Sequence, residues 1–290
     1  MIIFNADDYG INIRQAKGIL SCKEKGCLNS VSLLVNGREA EYIAGILPEK
    51  MRVRLHLNFR EGTCLSDPSE IPLLVNKKGD FRLPFMGMLF LSLIRRKELK
   101  RQLMKETDLQ IKRFFELTGK KRTLSVDSHG HYHMIPGVWN VLFETCQKNG
   151  VEIKEIRIPA EPFRPFVAHP ESFLRLPVSG IIKNLLMHIL YMINRLSGSQ
   201  PENFDFKKRV PVFFGMIFTT RMFEKTVRKY LPAFFREARV RNRDLELMFH
   251  PGGLKGKEEL WDSRFAAFHL SEDRKKEAKT LFFLKKYLQA

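Results

Sequence analysis

The chain has 290 residues, 44% of them apolar and 28% charged, which places it among soluble globular proteins and is enough to build a full core. Its 50 Lys and Arg against 32 Asp and Glu give a formal charge of +18, which attracts nucleic acid, an anionic membrane face or acidic substrates. No aromatic-interleaved basic motif of the RNA-binding kind accompanies that charge, so no nucleic acid is expected, and no apolar run reaches the roughly 20 residues of a membrane-spanning helix.

Along the chain, short β-branched runs alternate with longer stretches of helical period, the pattern of βα units around a parallel sheet or barrel. Strands are expected near 1–5, 29–35, 52–58, 123–127, 152–157, 211–218 and 245–249. Helices are expected near 12–26, with Asn12 as N-cap, and near 38–46, 98–118, 138–149, 221–238 and 271–288. The expected architecture is α/β: a distorted (β/α) barrel of about seven parallel strands, one domain over 1–290 with a helical, Pro-rich insertion at about 163–205. Four cysteines without a CxxC pair, and no basic-plus-apolar leader before the first strand, favour the cytoplasm with reduced thiols.

The most apolar stretches are "PFMGMLFLSLI" (84–94) and "GIIKNLLMHILYMI" (180–193). In the second, apolar residues at 181, 182, 185, 186, 189, 190 and 193 make one broad face, with Lys183, Asn184, His188 and Asn194 mostly elsewhere. Packing of that face on the barrel is the first expectation. The alternative is an interfacial helix that brings an enzyme to lipid-linked substrates, and the helix beginning near 84 poses the same choice.

In a parallel barrel the chemistry sits where strands end, and Asp7-Asp8, His56, His129 and His250 all fall at such positions. Adjacent carboxylates raise each other's pKa, so "NADDYG" calls for a nearby cation. "VDSHGHYHMIP" places His129, His131 and His133 at spacing two after Asp127; if extended, the three rings project to one side, and a neighbouring carboxylate orients an imidazole ligand by accepting its second N–H. Each residue has a plain alternative: Asp7 or Asp8 as a cap acid, His56 as a core histidine, His250 as a strand-terminal one. Together, one carboxylate and two imidazoles make a three-ligand metal site with positions open for water and substrate. A second carboxylate can serve as general base, and metal lowers the pKa of bound water from about 15.7 towards 7. The rival readings are a metal phosphoesterase on the same ligands, or a catalytically idle protein that binds membrane or polyanion.

The stretches "NADDYG", "LVNG" (34–37), "LHLNFREG", "DSHGHYHMIP", "EIRIPAEP" and "LMFHPGG" run in order from residue 5 to 253. In these the chain resembles the carbohydrate deacetylases of the YdjC type, also called chitooligosaccharide deacetylases, and their hopanoid-biosynthesis-associated relatives. The resemblance implies a NodB/YdjC-like barrel that removes acetyl groups from N-acetylated sugars with a divalent metal. By motif, it implies Asp8, His56 and His129 as metal ligands, Asp7 as base, His250 as acid, and Arg157 of "IRIP" as the cation that holds Asp7 ionised. The family is described with magnesium (Mg2+), while the ligand set also suits zinc (Zn2+) or manganese (Mn2+). Two departures are Arg54, where relatives often have Gly, and Ala160, where a basic residue often follows the proline. The segment 163–196 is most similar to the hopanoid-associated branch, which suits a glycolipid or lipid-linked sugar. The expected partner is an N-acetylated saccharide or glycolipid; peripheral contact with the inner face of an anionic membrane, and a homo-oligomer, stay open.

Overall fold

A computed structural model describes residues 1–169, 171 and 175–289. Seven strands, β1 (Ile2–Tyr9), β2 (Ser30–Leu33), β3 (Arg52–Leu57), β4 (Thr123–Ser128), β5 (Glu152–Ile156), β6 (Val212–Phe214) and β7 (Leu245–Phe249), form one sheet in the order β5-β4-β3-β2-β1-β7-β6. Every neighbouring pair is parallel. The sheet curls into a barrel with β5 and β6 at its open edges. Five strand spacings separate β5 from β7, about 24 Å in a flat sheet. Yet Arg157, just after β5, donates to Glu246 on β7 at 2.8 Å.

The connections are α1 (Ile13–Lys25), α2 (Ala40–Gly45), α3 (Phe85–Ile94), α4 (Arg96–Thr118), α5 (Pro136–Lys148), α6 (Arg164–Val167), α7 (Val178–Leu196), α8 (Phe206–Arg209), α9 (Glu224–Val240), α10 (Ala266–His269) and α11 (Asp273–Tyr287). Local chemistry sets several ends. Asn12 caps α1 by accepting from the Gln15 N–H at 2.9 Å. Pro136 opens α5, where its missing N–H costs nothing, and left-handed Gly119 closes α4.

Three elements depart from the sequence reading, each for a hydrogen-bonding reason. β1 runs on to Tyr9 because its pairing with β2 resumes at Tyr9–Leu33 after an irregularity. β6 stops at Phe214 because the N–H groups of Gly215, Met216 and Ile217 turn to the Glu161 carboxylate instead of a neighbouring strand. In α7 the inward face holds Asn184, Met187, Leu190 and Asn194, while Ile182, Leu185, Ile189 and Ile193 face out. Asn184 exchanges hydrogen bonds with the Glu161 backbone, and Asn194 donates to the Met134 carbonyl, which draws the polar side inward. Of the apolar face expected to pack on the barrel, Leu190 is buried and Ile181 and Leu186 pack against the core, while Ile182, Leu185, Ile189 and Ile193 are exposed, so the expectation holds only for one edge of that face.

Candidate metal centre and active site

Successive side chains on a strand point to opposite faces, so Asp7 and Asp8 would part company in a regular β1. Instead β1 gains one residue against β2 between Ala6 and Tyr9, and Asp8 adopts φ 64°, a left-handed value uncommon outside glycine. Both acids thereby lie among the polar interior groups, each with its own cation. Arg157 grips Asp7 twice, Nη1 to Oδ2 at 2.7 Å and Nη2 to Oδ1 at 2.8 Å, and Arg274 Nη2 donates to Asp8 Oδ2 at 2.7 Å.

The remaining Asp8 oxygen, Oδ1, is buried without a hydrogen bond. It faces His129 Nδ1 at 2.9 Å and His56 Nε2 at 3.6 Å. Asp8, His56 and His129 each offer one ligand atom, all within 4.8 Å of one another. The far nitrogen of each ring is held by a carboxylate, His56 Nδ1 by Asp127 Oδ1 at 2.6 Å and His129 Nε2 by Glu61 Oε1 at 2.5 Å. Such partners fix ring orientation and raise ligand basicity in metal sites. An orphaned carboxylate oxygen and two oriented imidazoles fit a divalent ion.

The charges are mutually supported. Burial alone would raise the Asp8 carboxyl, but His129, His56 and Arg274 hold it well below the usual carboxylate range. Burial would lower His56, but Asp127, Asp8 and Asp7 take it up to about 10, and burial would raise Glu61, but His129 and His269 bring it down to about 2. Asp7, His56 and Asp127 also meet the ligand spacing. That second group is already neutralised, since Arg157 spans both its carboxylates and reaches Asp127 Oδ2 at 2.9 Å.

His250 follows β7 with Nε2 4.0 Å from Asp7 Oδ2, and its backbone N–H donates to Glu277 on α11. Burial pulls its pKa down to about 4, so the ring is neutral at pH 7. Asp7, Asp8, His56, His129 and His250 all border one cavity of about 580 Å3, walled further by the first turn of α3, by α7 and by Phe268. A larger hollow of about 830 Å3, beside Asn12, Arg38 and Trp261, contains none of them.

The six residues singled out in the sequence thus come together. The extended histidine triple does not form. β4 ends at Ser128 and residues His129–Met134 wind into a 3-10 turn in which Gly130 and His131 are left-handed. Of the three rings, His129 faces Asp8. His131 meets the Phe213 ring edge-on at the cavity wall. His133 is bound at both nitrogens, to Ser128 Oγ at 2.6 Å and to the Arg157 carbonyl at 2.8 Å, so it braces the chain that carries Arg157. Asp127 orients His56 on the adjacent strand, not a histidine of its own segment.

Several participants are given no role in the sequence reading: Glu61 and Glu155, although both fall inside quoted stretches, and Glu246, His269, Arg274 and Glu277, which fall outside them. Arg54 lies in unbroken β3 pairing, so its side chain does not disturb the backbone. It fills the barrel instead, bonding Glu155 and, at 2.9 Å, Glu246, which in turn accepts from Arg157. The one available hint for Arg274 and Glu277 is their spacing with Leu281 and Leu284, which puts two charged residues on the buried face of α11.

The family model described as YdjC-like protein matches residues 1–283. Among curated proteins, a carbohydrate deacetylase of Danio rerio is 31% identical over 177 residues, 60% of this chain and 54% of that one. A carbohydrate deacetylase of Geobacillus stearothermophilus is 31% identical over 56% of this chain and 62% of its own length. A chitooligosaccharide deacetylase of Serratia marcescens is 29% identical over 53% and 58%. The chain thus spans between about half and three fifths of the length of these relatives. A crystal structure from Enterococcus faecalis, titled a cellobiose-phosphate cleavage protein, superposes with a TM-score of 0.67 at 16% identity, covering 99% of this chain and 93% of the other, and shows the same fold.

Proposed function

The chain belongs to the YdjC-like family, and from that membership we propose that it hydrolyses the acetamide of an N-acetylated sugar with a divalent metal at Asp8, His56 and His129. The observation that carries this reading is the pairing of a three-ligand cluster with a second, separately held carboxylate: Asp7 lies beside the cluster yet is fixed by Arg157. Magnesium, zinc and manganese are the candidate ions.

When bound, the ion would polarise the acetyl carbonyl and acidify a water. Asp7 accepts the proton of the attacking water at a carboxylate oxygen. Arg157 keeps that carboxylate aimed while Glu246 and Asp127 hold Arg157 in turn. His250 is neutral at rest, and its Nε2 stands 4.0 Å from Asp7 Oδ2. It takes up the proton from Asp7 and delivers it to the leaving nitrogen. A C–O bond forms, the C–N bond breaks, and acetate and a free amine leave.

The test is acetate release from soluble and lipid-linked N-acetylated sugars by the full chain supplied with each metal. Acetate formed with an equal amount of free amine supports the reading; phosphate released from phosphorylated sugars with no acetate would replace it with a phosphoesterase.

A further inference from the structure

Two helices beside the cavity turn large apolar side chains to the solvent. On α7 Val178, Ile182, Leu185, Ile189, Met192 and Leu196 are exposed, from 47% at Leu185 to 85% at Leu196. They recur every three or four residues, which is one stripe along the helix. On α3 Met86, Phe90, Leu93 and Ile94 are exposed in the same way. Both helices pack on α5. Met86 belongs at once to this ridge and to the cavity wall, where it is joined by Lys183, Leu186 and Met187 of α7. Scattered exposed apolar residues are ordinary, but a continuous stripe of this length marks a surface that is covered in use.

The charge around the ridge selects its cover. Segments 85–97 and 178–196 contain no acidic residue, while Arg96, Lys97, Lys183 and Arg195 are exposed within them; Arg95 pairs with Glu98 at 2.6 Å just beyond the first segment. A second copy docking by its own ridge would set these cations against themselves across a two-fold axis. An anionic lipid surface meets both the cations and the apolar stripe. Among the described residues no helix is long and apolar enough to cross a membrane, which matches a helix lying in the interface.

We propose that the outward faces of α3 and α7 dock the protein on an anionic lipid bilayer, with the mouth of the cavity held at the level of the headgroups. A sugar carried on a lipid is then presented directly to Asp7 and its metal cluster; this substrate assignment rests on the deacetylase reading, whereas the docking does not.

The experiment is co-sedimentation of the full chain with vesicles of phosphatidylglycerol and phosphatidylcholine in equal parts, and with phosphatidylcholine alone. Binding is expected to the mixed vesicles, weakening as salt rises, and to fall about tenfold for each of Ile182→Glu, Ile189→Glu and Leu93→Glu. Circular-dichroism melting and turnover of a soluble N-acetylated sugar should not change in these variants. If a variant in α7 fails to fold, Leu93→Glu and the salt series carry the test. No binding to the mixed vesicles at low salt, or binding that the folded Glu variants leave intact, would overturn the proposal. So would a dimer by sedimentation velocity that Ile189→Glu dissociates while vesicles stay unbound. Vesicle binding without acetate from any acetylated sugar counts against the deacetylase reading alone.

Discussion

Arg157 and Asp7 face each other through two parallel contacts, at 2.7 and 2.8 Å, deep inside the barrel and 150 residues apart in the chain. The two adjacent acids of β1 differ in how they are held: Arg157 takes both oxygens of Asp7, whereas Arg274 takes one oxygen of Asp8 and leaves the other facing the imidazoles. Asp7→Asn keeps the shape of the side chain and leaves Asp8, His56 and His129 untouched. Acetate release should fall by about 10²–10⁴-fold with metal content unchanged. Full activity in this variant, measured beside metal analysis, would remove Asp7 from the role of base.

Glu61 and Asp127 hold the rings of the two proposed metal ligands, His129 and His56. Glu61→Gln and Asp127→Asn should each weaken metal affinity by about 10–100-fold, read by competition with a chelating dye. Glu61→Gln should be the cleaner case, because Asp127 also pairs with Arg157. Unaltered affinity in both would mean that the rings are oriented by packing alone.

Arg54 is a buried cation between Glu155 and Glu246. Arg54→Met leaves two acids without that cation and should cost about 3–5 kcal/mol in denaturant unfolding. The added Glu246→Gln change should recover part of the loss in a double-mutant cycle. A near-neutral Arg54→Met would show that Arg157 and Arg52 neutralise the pair unaided.

Burial takes the Glu161 carboxyl up to about 7 although three backbone N–H groups donate to it. With the folded pKa above the unfolded value of about 4.5, the folded protein binds more protons across this interval. The stability contributed by Glu161 is therefore full below about pH 4.5 and is lost as pH rises through about 7. Relative to wild type, Glu161→Gln should flatten that decline, by roughly 3 kcal/mol over the interval. Urea unfolding of both proteins from pH 5 to 8 measures it, and parallel curves would contradict it.

The barrel and the cluster of Asp8, His56 and His129 were legible because strand ends are where a parallel fold exposes chemistry, and these three residues sit at the ends of apolar runs. The residues that hold that cluster in place were not. Arg274 and Glu277 lie in "SEDRKKEAKT", which has the composition of a solvated helix, and only the tertiary fold turns them onto Asp8 and His250. Periodicity likewise grouped the apolar residues of α7 but could not say which face meets the barrel. That choice is made by Asn184 and Asn194, whose amides satisfy backbone groups of distant loops. The histidine triple misled because a spacing of two implies a common side only in extended chain, and Gly130 permits the left-handed turn that ends it.

Metal content of the purified chain, measured after dialysis for wild type, His56→Ala and His129→Ala, tests the common-ion geometry most directly. One equivalent of a divalent ion is expected in the wild type and its loss from both variants, with circular dichroism showing that they remain folded. One retained equivalent in either folded variant would mean that Asp8, His56 and His129 do not share an ion.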